Sequence, residues 1–407
     1  MINNYIPRSL EPVLAKAVDQ FPATILIGTW QSGKTTLLKQ VFGSRFSLVS
    51  LEAPDVRAAV IQDARGFLAL YPPPVIFDEI QYTPDLLPYI KALIDARRSQ
   101  TGQFILTGSQ NLFLMQQVTE SLAGRAAVLK LLPMSQREIH RQPDKPFPWE
   151  NLPIRPSAEV VPITELWQAI LRGSYPELIA YPEWDARLWQ SSFIQTYLER
   201  DVRNLRNIGD LTQFQIFLRA LANRCSQLLN LSELARDVGI SVSTAKDWLL
   251  ILEASFQVFL LRPYYANLGK RLVKSPKVYF VDTGLLCYLV GLQDARHAAS
   301  GPMGGALFEN LAASEIYKSF LHRGEETVFY FWRTASGDEV DFIIEWENRL
   351  IPIEVKLSAT PRPEMAHSVN RFRRLFPAQV KEGYVIHPGN IVLPLGEGTI
   401  ALPFSML

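Results

Sequence analysis

Residues Gly28-Thr29-Trp30-Gln31-Ser32-Gly33-Lys34-Thr35 match the spacing G-x-x-x-x-G-K-[ST] at every fixed position. Glycines at both ends let the backbone curl around an anion, and the amides at a helix start point at it. Lys34 carries the charge that reaches terminal phosphates, and the Thr35 hydroxyl is an oxygen ligand for magnesium. With the next residue of the helix, the expected phosphate-binding set is Gly28, Thr29, Trp30, Gln31, Ser32, Gly33, Lys34, Thr35 and Thr36. A second chemical signal is Pro74-Val75-Ile76-Phe77-Asp78-Glu79, an apolar run ending in two acids. A carboxylate at the end of a buried strand is costly unless it binds something. Beside a phosphate loop, Asp78 is expected to hold magnesium and Glu79 to polarise the attacking water.

A third constellation lies near the C-terminus. Asp341 sits in Glu339-Val340-Asp341-Phe342-Ile343-Ile344, and Glu354 and Lys356 in Leu350-Ile351-Pro352-Ile353-Glu354-Val355-Lys356-Leu357. Both segments read as strands of a hairpin around Glu347-Asn348-Arg349. Residues two apart in a strand share a face, so Glu354 and Lys356 project together and Asp341 can join them. Upstream, Leu307 to Tyr317 reads as an amphipathic helix on which Glu309 adds a carboxylate. This D…E-x-K pattern resembles the PD-(D/E)XK nuclease superfamily. The resemblance implies magnesium held by Asp341 and Glu354, with Glu309 as an added ligand, and Lys356 placing water or stabilising charge. A salt-bridged strand pair, or a nuclease-like fold kept only for binding, is the alternative.

These residues need a scaffold. Ala23–Ile27 reads as a buried strand before the loop, and Thr36 to Phe42 as the helix after it. Further strands are expected at 46–51, 104–109 and 126–131. That alternation predicts an α/β domain over residues 1–139 with a parallel sheet. Six prolines between 140 and 163 predict a linker or extended arm, part of a linker and helical segment over 140–199. Asn230, Gly239 and Ser241 or Ser243 punctuate a helix-turn-helix, and the apolar strand 256–261 suggests a winged helix over 200–275. Such a module either binds DNA or serves as a packing unit. Arg262, Lys270, Arg271, Lys274 and Lys277 form a stretch without acids that could face phosphates, and Arg200, Arg203 and Arg206 a second patch. Residues 276–407 are expected to form the nuclease-like α/β domain.

The composition narrows the class. A chain of 407 residues is too long for one ordinary core. Apolar residues at 48% and charged residues at 20% fit a globular protein. Cys225 and Cys287, far apart, argue against a structural zinc site and fit a cytoplasmic setting. No apolar run reaches the roughly 18 residues of a membrane span, and the N-terminus lacks a signal-peptide pattern. With 41 basic and 40 acidic residues, bulk charge favours no partner.

Taken together, GTWQSGKT, VIFDEIQ, ILTGSQ, SLAGRAAVLKLLPMS, YLERDV, the helix-turn-helix and the FEN…EVDF…IEVK tail are similar to a prokaryotic family of AAA+-type ATPases with a C-terminal domain of unknown function. The resemblance spans nearly the whole chain. It implies ATP and magnesium as ligands, with Ser109 or nearby Asn111 sensing the γ-phosphate. It also implies Arg125 as an arginine finger supplied by a neighbouring subunit, hence a homo-oligomer such as a ring. That family usually begins its loop Gly-Pro-Arg, where this chain has Gly28-Thr29-Trp30. The function expected is an ATPase acting on DNA, with a nucleotide-controlled, magnesium-dependent nuclease-like end. The alternatives are a DNA-binding switch without cleavage and an ATPase acting on a protein partner.

Overall fold

The computed structural model describes residues 5–108, 121–150, 154, 162–197, 211–265, 275–326, 328–334 and 336–407. The expected sites at Ser109 and Asn111, the patch Arg200, Arg203 and Arg206, and Lys270, Arg271 and Lys274 lie outside the described residues.

The N-terminal part runs α1 (Glu11–Gln20), β1 (Ala23–Ile27), α2 (Lys34–Phe42), β2 (Ser47–Ser50), α3 (Pro54–Gln62), α4 (Ala64–Leu70), β3 (Val75–Asp78), α5 (Leu87–Ala96), β4 (Phe104–Gly108) and β5 (Ala126–Lys130). The strands pair in parallel in the order β2-β3-β4-β1-β5. All five residues of β1 and of β4 are buried, as a parallel sheet covered on both faces requires. Alternate residues point to opposite faces. Leu26, Ile76 and Ile105 pack with Leu14 of α1 and Leu37 and Leu38 of α2. Ile25, Phe77 and Phe104 pack with Val60, Phe67 and Ile90 of α3, α4 and α5. The carboxyl ends of β1, β3 and β4 therefore converge at one edge, where open α/β sheets bind ligands.

After the short α6 (Gln136–Ile139), the proline-dense stretch carries neither helix nor strand over residues 140–150. It is not a free arm. Phe147 and Trp149 are fully buried, 5.1 Å from the ring of Phe320 and 6.1 Å from that of Tyr384 respectively. The middle contains α7 (Ile163–Arg172), α8 (Pro176–Ala180), α9 (Ala186–Tyr197), α10 (Leu211–Ala222), α11 (Leu231–Val238) and α12 (Val242–Ala254). The helix-turn-helix follows its caps. The Asn230 side chain accepts from the Glu233 amide at 3.2 Å, Gly239 closes α11 at φ 77°, and Ser241 accepts from the Thr244 amide at 3.0 Å.

β6 (Val258–Pro263) and β7 (Lys277–Phe280) follow as an antiparallel pair. Then come α13 (Thr283–Leu289), α14 (Ala295–Ser300), α15 (Gly304–His322), β8 (Phe329–Arg333), β9 (Glu339–Trp346), β10 (Arg349–Val355), α16 (His367–Leu375), β11 (Gly383–His387), β12 (Leu393–Gly396) and β13 (Thr399–Pro403). One eight-stranded sheet runs β12-β13-β11-β10-β9-β8-β6-β7. The β6–β7 pair spans the boundary expected at 275/276, and β6 also joins β8 in parallel. The expected hairpin forms, with β9 and β10 antiparallel around Glu347 and Asn348, both at positive φ. α15 corrects the amphipathic reading. Leu307, Phe308, Leu311, Ala312, Ser314, Glu315, Ile316, Lys318 and His322 are all buried, so the helix is enclosed on nearly every side and its polar residues pair inside. Among the described residues no helix is long and apolar enough to cross a membrane.

Candidate functional site

The loop after β1 takes its shape from steric demands. A Cβ on Gly28 would lie 1.8 Å from the Leu131 carbonyl oxygen, so only glycine lets the chain pass β5 there. Gln31 at φ 58° and Gly33 at φ 91° turn the chain back on itself, and Gly33 opens α2. The Lys34 ammonium, 5% exposed, donates to the carbonyls of Thr29 at 2.9 Å and Gly28 at 3.3 Å, across the mouth of the loop. The hydroxyl of Ser32 is buried without a hydrogen-bond partner, an unmet polar demand inside the loop. Trp30, where the resembling family has arginine, packs its ring 5.6 Å from Phe193 of α9. The departure therefore gives the loop an aromatic anchor on the middle helices.

Two motifs 43 residues apart meet here: the Thr35 hydroxyl donates to Asp78 Oδ2 at 2.8 Å. Thr107, near the end of β4, donates to Asp78 Oδ1 through its hydroxyl, and the Thr107 Oγ1 also accepts the Glu79 amide at 3.1 Å. Glu79 sits in the left-handed region at φ 60°, a strained position that turns its carboxylate out of the strand line, and Gln81 donates to that carboxylate. A hydroxyl and a carboxylate sharing one point are the hard oxygen donors magnesium prefers, so these residues fit that ion. Thr107 was missed by sequence reasoning, because its role depends on β4 lying beside β3.

Arg125 immediately precedes β5, beside the start of β1, at the opposite end of the parallel strands from these groups. It makes a two-pronged ion pair with Asp95, at 2.7 and 3.0 Å, which holds the Asp95 carboxyl below the usual carboxylate range. Within its own chain it is thus a partner of α5.

A buried network ties the loop to the C-terminal half. Arg8, 3% exposed, donates to the Ser32 carbonyl at 2.9 Å and the Leu132 carbonyl at 2.7 Å. Its Nε lies 3.1 Å from Glu138, whose other contacts include the Ser9 and Ser135 amides. His322, at the end of α15, places Nδ1 3.1 Å from Glu138, while its Nε2 accepts the Leu132 amide at 3.0 Å. An accepting Nε2 means a neutral ring, in keeping with burial lowering the His322 pKa. Glu315 and Lys318 of the same helix reach the Gln136 amide at 2.8 Å and Ser174 Oγ at 2.8 Å. Sequence reasoning found none of these five. The Ser135-x-x-Glu138 capping box was the one readable signal, and it is formed.

The other end of α15 carries Glu309 into the third constellation. β9 and β10 pair so that Asp341 stands beside Glu354, as expected, and Asp341 accepts the Val355 amide at 2.8 Å. Lys356 donates to Glu354 at 2.5 Å, as their shared face requires. Lys277 departs from the expected basic stripe. Its ammonium is buried among Glu309 at 3.1 Å, Asp341 at 3.6 Å and Glu339, and of the described stripe residues only Arg262 is exposed. Burial opposes the charge on Lys277, but these carboxylates outweigh it and hold its pKa above the ordinary lysine value. Burial, and then the Asp341 carboxylate, push Glu309 up to about 7 and Glu354 up to about 8. Among the described residues, no group of three or more histidine, cysteine, aspartate and glutamate side chains is placed to hold a metal ion. The expected metal set of Glu309, Asp341 and Glu354 is thus not assembled in this conformation, since Glu309 and Asp341 close on an ammonium instead.

Comparison with known proteins divides the chain in three. Residues 20–140 match the AAA domain, residues 163–296 a domain of unknown function, DUF8612, and residues 304–407 another, DUF4143. Uncharacterised proteins of Mycobacterium tuberculosis and Mycobacterium bovis are each 29% identical over 397 residues, 97% of this chain and 82% of theirs. An uncharacterised Haemophilus influenzae protein is 21% identical over 85% of this chain and 84% of its own. Among solved structures, the Walker-type ATPase PabY2304 of Pyrococcus abyssi overlaps at TM-score 0.44 and 17% identity, covering 69% of this chain and 94% of that one. The Thermotoga maritima RuvB Holliday junction branch migration motor overlaps at TM-score 0.30 and 16% identity, over 63% and 91%. With the loop, the paired acids and the parallel sheet above, the chain carries a P-loop AAA domain over residues 20–140 and a C-terminal DUF4143 domain over residues 304–407.

Proposed function

We propose that this chain binds and hydrolyses ATP at the loop between β1 and α2, and that it works on DNA. The observation that carries the ATPase reading is the 2.8 Å hydrogen bond from Thr35 to Asp78, which brings the phosphate loop and the acidic strand end together. Lys34 and the loop amides bind the triphosphate. Thr35 and Asp78 would hold magnesium, which supplies neutralisation of phosphate charge when bound. Glu79, oriented by Gln81 and by its amide on Thr107, takes the proton of the attacking water. Arg125 acts on the nucleotide of a neighbouring copy after leaving Asp95, so the working form is an oligomer. Phosphate release by the wild-type chain and by Lys34→Ala tests the first step: the variant should lose turnover, and an intact rate would overturn the assignment.

DNA as partner is supported by the capped helix-turn-helix, whose second helix exposes Ser243 and Lys246. Anisotropy titration of duplex DNA should show affinity falling steeply between about 50 and 200 mM salt, since phosphate contacts release counterions. Salt-independent binding, or none, would favour a protein partner. A second reading, that the C-terminal domain cuts DNA with magnesium, is supported by the approach of Asp341, Glu354 and Lys356. DNA cutting by the wild-type chain that Glu354→Gln abolishes would uphold it; its absence would favour a switch without cleavage.

A further inference from the structure

We propose that Lys277 is the resident cation of the C-terminal carboxylate cluster, so that the native chain excludes divalent metal ions there and admits one when the ammonium is removed. The inference rests on reading Asp341 and Glu354 as a cation site, and it opposes the second reading above: with Lys277 in place, the native chain would not cut DNA there with magnesium.

Lys277 begins β7, and the β6–β7 pair delivers it beneath the N-terminal part of α15. Its ammonium lies 3.1 Å from Glu309 and 3.6 Å from Asp341, and it is paired with Glu339. The Tyr279 hydroxyl donates to Glu309 Oε1 at 2.6 Å, the same oxygen that receives Lys277, so Glu309 is fixed toward the lysine. The ring of Phe331, 5.7 Å away, forms part of the wall around the ammonium. A divalent ion bridging Glu309 and Asp341 would need the oxygens this ammonium already engages. It would also sit a few ångströms from a like charge with little water to screen the pair.

The cluster nevertheless retains cation-binding capacity. Glu309, Glu339, Asp341 and Glu354 face Lys277, Lys356 and Arg333, four carboxylates against three cationic side chains. The excess is visible at Glu354, 5% exposed. Its Oε1 takes Lys356, while its Oε2 is buried with no hydrogen-bond partner among the described residues. A buried carboxylate oxygen left unmet beside Asp341 points to a positive ligand. Replacing Lys277 by methionine keeps the stem's volume and removes the tethered charge. The carboxylates around it then offer hard oxygen donors to a metal ion.

Manganese ions bound to the nucleotide-free chain, counted by electron paramagnetic resonance in an Asp78→Asn background that removes the loop site, test this. With Lys277 present, no ion should bind in a Glu354-dependent way. In Lys277→Met one ion per chain should bind, about tenfold or more tighter, and be lost in Lys277→Met with Glu354→Gln. A folded Lys277→Met chain that binds none would overturn the proposal. Melting of the Lys277-containing chain with and without manganese decides the matter even if Lys277→Met does not fold. An unchanged transition is expected, and a rise that Glu354→Gln abolishes would overturn it. A Lys277→Met chain that takes up manganese and leaves DNA intact upholds the lysine's role while sinking the nuclease reading.

Discussion

Asp78 is held at both oxygens by hydroxyls, Thr35 from the helix after the loop and Thr107 from the neighbouring strand. The Thr107 hydroxyl also takes the amide of Glu79, so one side chain fixes both acids. Thr107→Val keeps the shape and removes these bonds. ATP affinity should stay within about threefold, because the loop and Lys34 are untouched, while turnover falls about 10- to 100-fold as Glu79 loses its aim. Equal loss in binding and turnover would show that Thr107 supports the fold rather than the water-activating acid. Lys34, Thr35, Asp78 and Glu79 were legible in the sequence because each belongs to a contiguous motif whose chemistry is local. Thr107, Arg8 and Lys277 were not, because their partners are set by strand order, by a segment at Leu132 that is 124 residues from Arg8, and by the sheet edge that brings carboxylates to Lys277. Lys277 was misread for that reason: a cation in a run without acids looks solvated until the fold brings three carboxylates to it.

The loop leans on Arg8, Arg8 on Glu138, and Glu138 on His322 at the end of α15. Arg8→Ala strips a buried carboxylate of its main cation and should cost about 3–5 kcal/mol in denaturant unfolding. A change within experimental error would mean Glu138 is satisfied by amides alone. His322 gives this element a pH signature. Its pKa is lowered in the folded chain by burial, the ring accepts the Leu132 amide, and the groups facing it are Glu138, Arg8 and Lys318. The unfolded chain therefore binds a proton below about pH 6.5 at His322 that the folded chain does not, so the stability this residue contributes falls as pH drops from about 7 to about 5. Glu138 is depressed below the usual carboxylate range, and its own loss falls at lower pH, outside that window. Glu309 and Glu354, raised to about 7 and about 8, act in the opposite sense and gain stability as pH falls, so the test is the difference between chains: from about pH 7 to about 5 the melting temperature should change less favourably in the wild-type chain than in His322→Gln, and parallel slopes would remove His322 as the cause. The sequence was informative about strands, whose apolar runs announce burial, and about α11 and α12, whose caps are local. It failed on α15, where polar residues spaced along the helix suggested a solvated face. They meet Glu138, Ser174, Gln136 and Lys277 instead.

At the scale of the molecule, the two sheets do not stand apart. The main apolar core runs without a break from Ile25 and Phe77 through Phe147, Phe217 and Phe308 to Tyr384. Arg137, just after the AAA sheet, donates to the Leu407 carbonyl at 2.7 Å and lies 4.0 Å from the Phe147 ring centre. Nucleotide binding at one edge should therefore be felt throughout. A non-hydrolysable ATP analogue at about 100 times its Kd should add about 2.7 kcal/mol to a single unfolding transition. Two transitions, with only one shifted, would show that the AAA domain and the C-terminal sheet melt independently. The alternation of elements made the N-terminal architecture readable, whereas the continuity of the second sheet was hidden because β6 lies far in sequence from β8, the strand that ties it to the rest. The central claim is that this loop and its paired acids turn over ATP, with Glu79 activating the water. The most direct test is phosphate release by wild-type and Glu79→Gln chains, with ATP affinity measured on the same preparations. Glu79→Gln should bind ATP as tightly as the wild-type chain and release phosphate at least about 100-fold more slowly. Wild-type turnover by the Glu79→Gln chain, or none by the wild-type chain with ATP bound, would contradict the account.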